Sequence, residues 1–283
     1  MRRFLIQKAI SFIFVIMLIM LQMKTSNEIP ASAPVSETKL AVLMYHGFTD
    51  GGKESEYVID VREFEKDIVW LKENGYEFVS VSDLIGHFET GKKLPEKGVM
   101  ITFDDGYLNN YLYAFPIIKK YAVKVLISPI AYWSDYQTKN PDPNPAYANM
   151  TWSQIKEMTD SRLVEIGNHS YNMHSLSDGR MGSDKADGEN SEEYRRVFFE
   201  DMKNAHLAIK NATGISPVAY AYPFGSISEE SVSVLKCFGY RVTFSCREGI
   251  NTISSDPSCL FHLKRFNRNN NVSAFDILGS VDN

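Results

Sequence analysis

Cysteine is scarce in this sequence: three residues among 283, Cys237, Cys246 and Cys259, and none earlier in the chain. That excludes a small scaffold held by disulfides, and the spacings fit no zinc motif. An odd number leaves either one disulfide and a thiol or no disulfide; small apolar packing residues are the simpler reading. A lipid-modified N-terminal cysteine is excluded as well. Basic charge is not in excess, with 30 Lys+Arg against 35 Asp+Glu, which argues against a surface that holds nucleic acid. Low hydrophobicity is absent too: 44% apolar residues exclude wholesale disorder and allow a sizeable core.

What is present begins with a leader. Arg2, Arg3 and Lys8 precede an apolar run from Ala9 to Met23 broken only by Ser11 and Gln22. A basic start followed by such a run reads as a secretory signal. It is short for a membrane span, which needs roughly 20 apolar residues, although Phe4–Ile6 could extend it into an uncleaved anchor. Either way the chain is expected to be secreted or held at the cell surface, with membrane attachment only through this segment. Residues 24–38 are polar with two prolines and read as a linker. Without residues 1–33 the chain keeps 26 basic and 34 acidic residues, a net charge of -8. Such a surface suits a neutral or cationic glycan better than an anionic polymer. Twelve per cent aromatics is compatible with carbohydrate handling.

From residue 39 to 283 short apolar runs alternate with helical patterns, with no internal repeat and no second composition block. Strand patterns cover 40–45, 77–81, 99–103, 123–128, 163–166, 218–222, 240–244 and 260–266. Helical patterns cover 61–74, 83–89 (capped by Ser82), 110–121, 151–160, 191–212, 228–238 and 273–278. Residues 131–150 and 179–190 read as long loops, which tend to be functional. The alternation predicts one α/β domain with a parallel sheet. About 250 residues is enough for one barrel.

Functional residues of a barrel sit just after its strands. The strand over 99–103 runs into Asp104-Asp105-Gly106. Successive strand residues point in opposite directions, so one carboxylate can ligate a metal while its neighbour acts as a base. Gly106 permits a sharp turn. A second strand runs into Asn168-His169-Ser170, with His174 five residues after His169. Asp105, His169 and His174 together would make three protein ligands with open positions, the form of a catalytic metal site. A third strand end, Ala219 through Gly225, carries a Pro/Gly turn able to present a backbone N–H to an oxyanion. Tyr132, Trp133, Tyr136 and Tyr147 in the first long loop either stack on sugar rings or anchor the loop. His87, His206 and His262 lie within elements and are assigned no task.

These three segments resemble the polysaccharide deacetylase family, the NodB-like carbohydrate esterases. Its TFDDG motif stands as Thr102-Phe103-Asp104-Asp105-Gly106, and its His-Ser/Thr motif as His169 through His174. Its third motif corresponds to Tyr220 through Gly225. The HxxxxH spacing is similar to the branch acting on poly-N-acetylglucosamine exopolysaccharide. The resemblance implies a distorted (β/α)7-type barrel, circularly permuted relative to other members. It also implies metal-assisted hydrolysis of N-acetyl groups on an N-acetylglucosamine-containing glycan. On that basis Asp104 is the base, and Asp105, His169 and His174 hold one divalent ion. Zinc is the first choice; cobalt, nickel or iron(II) would be accepted by the same donors. The Phe224 N–H is the oxyanion donor.

Two departures shift roles. The arginine that holds the base aspartate in other members is replaced by Ala221, and Arg265 is the candidate to supply that cation from another strand. No histidine follows His262 to serve as the late general acid, and His46, at the end of the first strand, is the candidate replacement. The expected partner is a glycan, not nucleic acid, and the expected state a monomer. The rival readings are an O-acetyl esterase or peptidoglycan deacetylase on the same site, and a barrel that binds glycan without catalysis.

Overall fold

A computed structural model of the chain describes residues 37–177 and 179–279. The leader over 1–23 and nearly all of the linker over 24–38 lie outside the described residues. Among the described residues thirteen strands are formed: β1 (Thr38–Tyr45), β2 (Gly47–Thr49), β3 (Val58–Asp60), β4 (Glu77–Phe78), β5 (Gly98–Asp105), β6 (Val125–Pro129), β7 (Val164–Ile166), β8 (Leu176–Ser177), β9 (Arg180–Met181), β10 (Ala219–Ala221), β11 (Val242–Phe244), β12 (Asn251–Ile253) and β13 (Phe266–Asn267). The main sheet runs β12-β1-β5-β6-β7, with β13 paired to β1 and β4 to β5. Neighbours from β1 to β7 are parallel, and β12 is antiparallel to β1.

Parallel strands covered on both faces read as continuous apolar runs, and every residue of β5 is buried. Alternate residues of β1 serve different layers. Leu40 and Val42 join an inner cluster with Met100, Leu126, Val242 and Phe244, whereas Leu43 and Tyr45 join Ile101, Phe103 and the helices. The helix Val61–Glu73 turns Phe64, Ile68 and Leu71 onto that outer layer, all fully buried.

Several expected boundaries move. Ser80, not Ser82, caps Val81–Thr90, because Ser80 and Asp83 form a reciprocal capping box. Residues 131–139, expected as loop, form a helix; its N-cap is Ile130, which has no capping side chain, and only Ala131, Ser134 and Gln137 are buried, so no apolar stripe marks it. The late strand expected over 260–266 is instead a 3-10 turn, Pro257–Leu260, followed by a single bridge at Leu263 and the two residues of β13. His262 therefore lies in a turn at φ 62°, not in a strand.

The α/β architecture holds, but among the described residues no closed barrel ladder is formed. β10 and β11 make a separate two-stranded sheet. Among the described residues, isolated bridges at Asn168–Tyr220 and Phe244–Leu263 are its strand-type pairings with neighbouring segments. Its strands are three residues long, with Pro217 and Pro223 close outside β10, and a ladder cannot be continued through a proline. Cys237, Cys246 and Cys259 are all free thiols, and Cys237 is exposed. Among the described residues no helix is long and apolar enough to cross a membrane.

Candidate metal centre and active site

β5 carries the two aspartates to the end of the sheet. Asp104 is still in ladder register, opposite Ser128 of β6. Asp105 turns at φ 65° and Gly106 at φ 74°. A Cβ at Gly106 would lie 2.7 Å from that of Pro129, so only glycine fits there. Positive φ at Asp105 and at Ser170 (φ 75°) is backbone strain concentrated at the site.

The alternation separates the carboxylates. Asp104 turns toward Arg265, which forks onto it with Nη1–Oδ1 at 2.9 Å and Nη2–Oδ2 at 2.8 Å. Both side chains are essentially inaccessible to solvent. Arg265 is itself held by the Ser245 carbonyl at 2.9 Å from Nε and by Thr102 Oγ1 at 3.3 Å from Nη1. Burial alone would raise the Asp104 carboxyl, but the Arg265 charge and hydrogen bonds outweigh it, with help from His169 and His46. Asp104 is held ionised, well below the usual carboxylate range. Arg265 likewise rises, the pull of Asp104 exceeding the penalty of burial.

Asp105 points the other way, to the histidines. Its Oδ1 lies 3.6 Å from His169 Nε2 and 3.4 Å from His174 Nε2. Burial pushes its carboxyl up to about 6, with His46 pulling down and Asp104 pushing up. Burial drives His169 down to about 3 and lowers His174, so both rings are neutral at pH 7 and carry a lone pair. His169 Nδ1 lies 2.7 Å from the Ala221 carbonyl, which keeps the proton on Nδ1 and leaves Nε2 as a donor atom.

The fit to a divalent cation follows from these atoms. The three donor atoms lie within 4.8 Å of one another, and Asp105 Oδ1 is buried with no hydrogen-bond partner. A buried carboxylate oxygen left bare among neutral imidazoles is costly unless a cation takes it. One carboxylate and two imidazoles form the donor set of open, catalytic transition-metal sites.

The histidine loop is held from outside. Asp201, on the helix Ser191–Thr213, accepts the backbone N–H of Tyr171 and of Asn172, each at 2.8 Å. Ser170 Oγ accepts from the Met173 N–H at 3.1 Å. Asp201 has no motif around it, and nothing in the sequence marks it; Tyr107, whose hydrogen bond acts on Asp105, directly follows the Asp104-Asp105-Gly106 turn, and that adjacency is the signal that could have found it.

The remaining candidates surround this centre. His46 follows β1 directly, with its Nδ1 buried and unpartnered and its ring edge-on to Tyr57 at 4.9 Å. Burial lowers its pKa, while the charges of Asp105 and Asp104 act against the fall. Phe224 stands at φ 57° in the turn after β10, and its ring lies 4.4 Å from that of His174. Tyr132 packs against Tyr171, with ring centroids 6.0 Å apart, whereas Trp133, Tyr136 and Tyr147 are exposed.

Comparisons with known proteins point to one family. Over 245 residues the chain is 27% identical to a poly-β-1,6-N-acetyl-D-glucosamine N-deacetylase of Escherichia coli (strain K12); the match covers 79% of this chain but only 36% of that protein. A poly-β-1,6-N-acetyl-D-glucosamine N-deacetylase of Staphylococcus epidermidis is 28% identical over 210 residues, 73% of this chain and 68% of that one. A solved de-N-acetylase from Aggregatibacter actinomycetemcomitans superposes with a TM-score of 0.70 at 27% identity, covering 81% of this chain and 94% of its own. The polysaccharide deacetylase family model matches residues 91–243, more than half of the sequence, from ahead of β5 into β11. With both aspartates and the histidine pair inside that match, the chain belongs to the polysaccharide deacetylase family.

Proposed function

We infer that the protein is an exported, metal-dependent N-deacetylase of an N-acetylglucosamine-containing polysaccharide, of the poly-β-1,6-linked type. The observation that carries this reading is the buried Asp104–Arg265 pair standing beside the Asp105–His169–His174 cluster. The names of the relatives support the substrate class, and the basic-then-apolar leader supports export.

Asp105, His169 and His174 would hold one divalent ion, zinc first. When bound, such an ion polarises the acetyl carbonyl and acidifies a water. Asp104, kept ionised by Arg265, takes the proton of the attacking water on its carboxylate. The Phe224 backbone N–H donates to the carbonyl oxygen as negative charge builds there. Protonated His46 delivers a proton to the departing nitrogen; the C–N bond breaks, acetate and a free amine leave, and the proton taken up by Asp104 passes on to restore the protonated His46. In this reading the segment ending at His46 takes the place of the family's late motif, the order expected of a permuted barrel.

The test is acetate and free-amine release from N-acetylated and O-acetylated glycans of defined structure, with and without chelator. Release from the N-acetylated panel, lost with chelator and restored by metal, is the expected result. Acetate from O-acetylated glycans alone would make the protein an esterase, and binding with no release a lectin-like barrel.

A further inference from the structure

His46 stands where the ladder between β1 and β5 has ended. β1 stops at Tyr45 and β2 starts at Gly47, so His46 belongs to neither strand. Its Nδ1 is buried without a partner, and its ring meets that of Tyr57 edge-on at 4.9 Å. A reacting side chain is aimed only as well as its own backbone is held.

Two adjacent asparagines hold that backbone. Asn110 Nδ2 donates to the His46 carbonyl at 2.7 Å, and Asn109 Oδ1 accepts the Phe48 N–H at 3.0 Å. The two amides are joined, Asn110 Nδ2 donating to Asn109 Oδ1 at 3.2 Å, while Asn109 Nδ2 donates outward to the Pro145 carbonyl at 2.9 Å. Each amide can face only one way, because Asn109 must accept from a backbone N–H and Asn110 must donate to a carbonyl. Between the two held groups, the Gly47 N–H goes to the Tyr57 carbonyl at 2.9 Å. A Cβ at Gly47 would come within 3.2 Å of Val58 Cγ2 and 3.5 Å of Asn109 Nδ2, so the clamp closes on a residue without a side chain.

The clamp is continuous with the reacting centre. Asn109 follows Asp105 by four residues and Asn110 by five. Both aspartates and both asparagines therefore lie on one short segment, and His46 is registered to the metal ligand as well as to its own strand. Asn110 also opens the π-helical turn Asn110–Ala114, a wide geometry that is rare and gathers at functional sites. It is fully buried, and its Oδ1 has no hydrogen-bond partner. An orphaned buried carbonyl oxygen is a cost that a residue kept only for packing would not carry.

We propose that Asn109 and Asn110 are positioning residues that act through His46, holding its imidazole against the nitrogen that departs from the acetyl carbon. This rests on the deacetylase reading above, with His46 as the acid. The role belongs to one step. When the tetrahedral intermediate collapses, the C–N bond breaks and its electron pair goes to nitrogen, which takes the proton of protonated His46 as it leaves. An aryl acetate breaks differently: the C–O electron pair leaves on a stable aryloxide, and no proton is needed. Loss of the clamp therefore harms amide hydrolysis far more than aryl ester hydrolysis.

The experiment measures acetate release from β-1,6-linked N-acetylglucosamine pentamer and 4-nitrophenolate release from 4-nitrophenyl acetate, with the full chain loaded with Zn2+. Asn110→Leu, which nearly keeps the volume, should lower kcat for the pentamer on the order of a hundredfold, with KM and Zn2+ affinity unchanged. It should lose far less on the aryl ester. Placed on His46→Ala, it should cost nothing further on the pentamer, because residues acting through one proton transfer are not additive. Asn110→Ser, smaller and easier on the fold, should show the same selectivity in weaker form. Equal losses on both substrates, or a further loss on His46→Ala, overturn the clamp and leave the deacetylase reading intact. A wild-type protein that cleaves the aryl ester and releases nothing from the pentamer overturns the deacetylase reading and the clamp together.

Discussion

Asp104 and Asp105 are adjacent in sequence and opposite in circumstance. One carboxylate has its charge matched by a forked guanidinium at 2.8–2.9 Å, and the other has a bare oxygen facing two neutral imidazoles. A fold can hold them side by side because strand alternation sends them to different neighbours. Removing half of a buried ion pair costs about 3–5 kcal/mol, while replacing both halves by neutral groups is often tolerated. Arg265→Met should therefore lower the urea midpoint sharply, and adding Asp104→Asn should recover much of the loss. Both proteins should lose acetate release. An Arg265→Met protein as stable as the wild type would contradict the pairing. The motif residues were legible because each cluster is contiguous, TFDDG and HSYNMH. Arg265 lies 161 positions from Asp104, and only the absence of an arginine near Ala221 directed attention to it.

At the scale of elements, the histidine loop depends on a helix that carries no signature. The Asp201 carboxylate spans two backbone N–H groups of that loop, and burial pushes its pKa up to about 6. A carboxamide in its place would accept with one oxygen only. Asp201→Asn should weaken metal binding on the order of tenfold, as loss of supporting contacts around metal ligands does; an unchanged affinity would show that the loop holds itself. The sign of the pH effect follows from the raised folded value. The folded state binds the Asp201 proton more tightly than the unfolded chain does, so this group's contribution is full below the ordinary carboxylate range and is lost as pH rises through about 6. The Tm of wild type relative to Asp201→Asn should accordingly fall from about pH 4 to about pH 6 and then level off. Gly106→Ala, forced to place its Cβ 2.7 Å from that of Pro129 at φ 74°, should destabilise by more than about 1 kcal/mol. Elements with strong apolar periodicity, such as Val61–Glu73, were readable in advance. The helix Ala131–Lys139 was not, because its aromatics face solvent, each other or Tyr171 and no side chain caps its start. The late strand over 260–266 failed for a related reason: an apolar run there is spent on a 3-10 turn and a single bridge.

Across the whole molecule, the last described helix is fastened to the first. Asp67 on the helix Val61–Glu73 accepts from Tyr45 at 2.9 Å, from Arg268 Nε at 2.6 Å and from the Ala274 N–H at 2.9 Å. Burial raises the Asp67 carboxyl, and Arg268 opposes that rise. Arg268→Met should cost about 3–5 kcal/mol of stability, read from denaturant midpoints, by leaving Asp67 buried and unpaired. An excess of acidic residues and an Asp105–His169–His174 cluster at the strand ends are mutually consistent with a neutral or cationic glycan. Asp105 at one strand end and the histidine pair after another would together build one cation site. Equilibrium binding of Zn2+ to the metal-stripped protein tests it directly: one equivalent per chain in the wild type, and no tight site in His169→Ala or Asp105→Ala, is the predicted result. Tight one-to-one binding that survives both substitutions would contradict it.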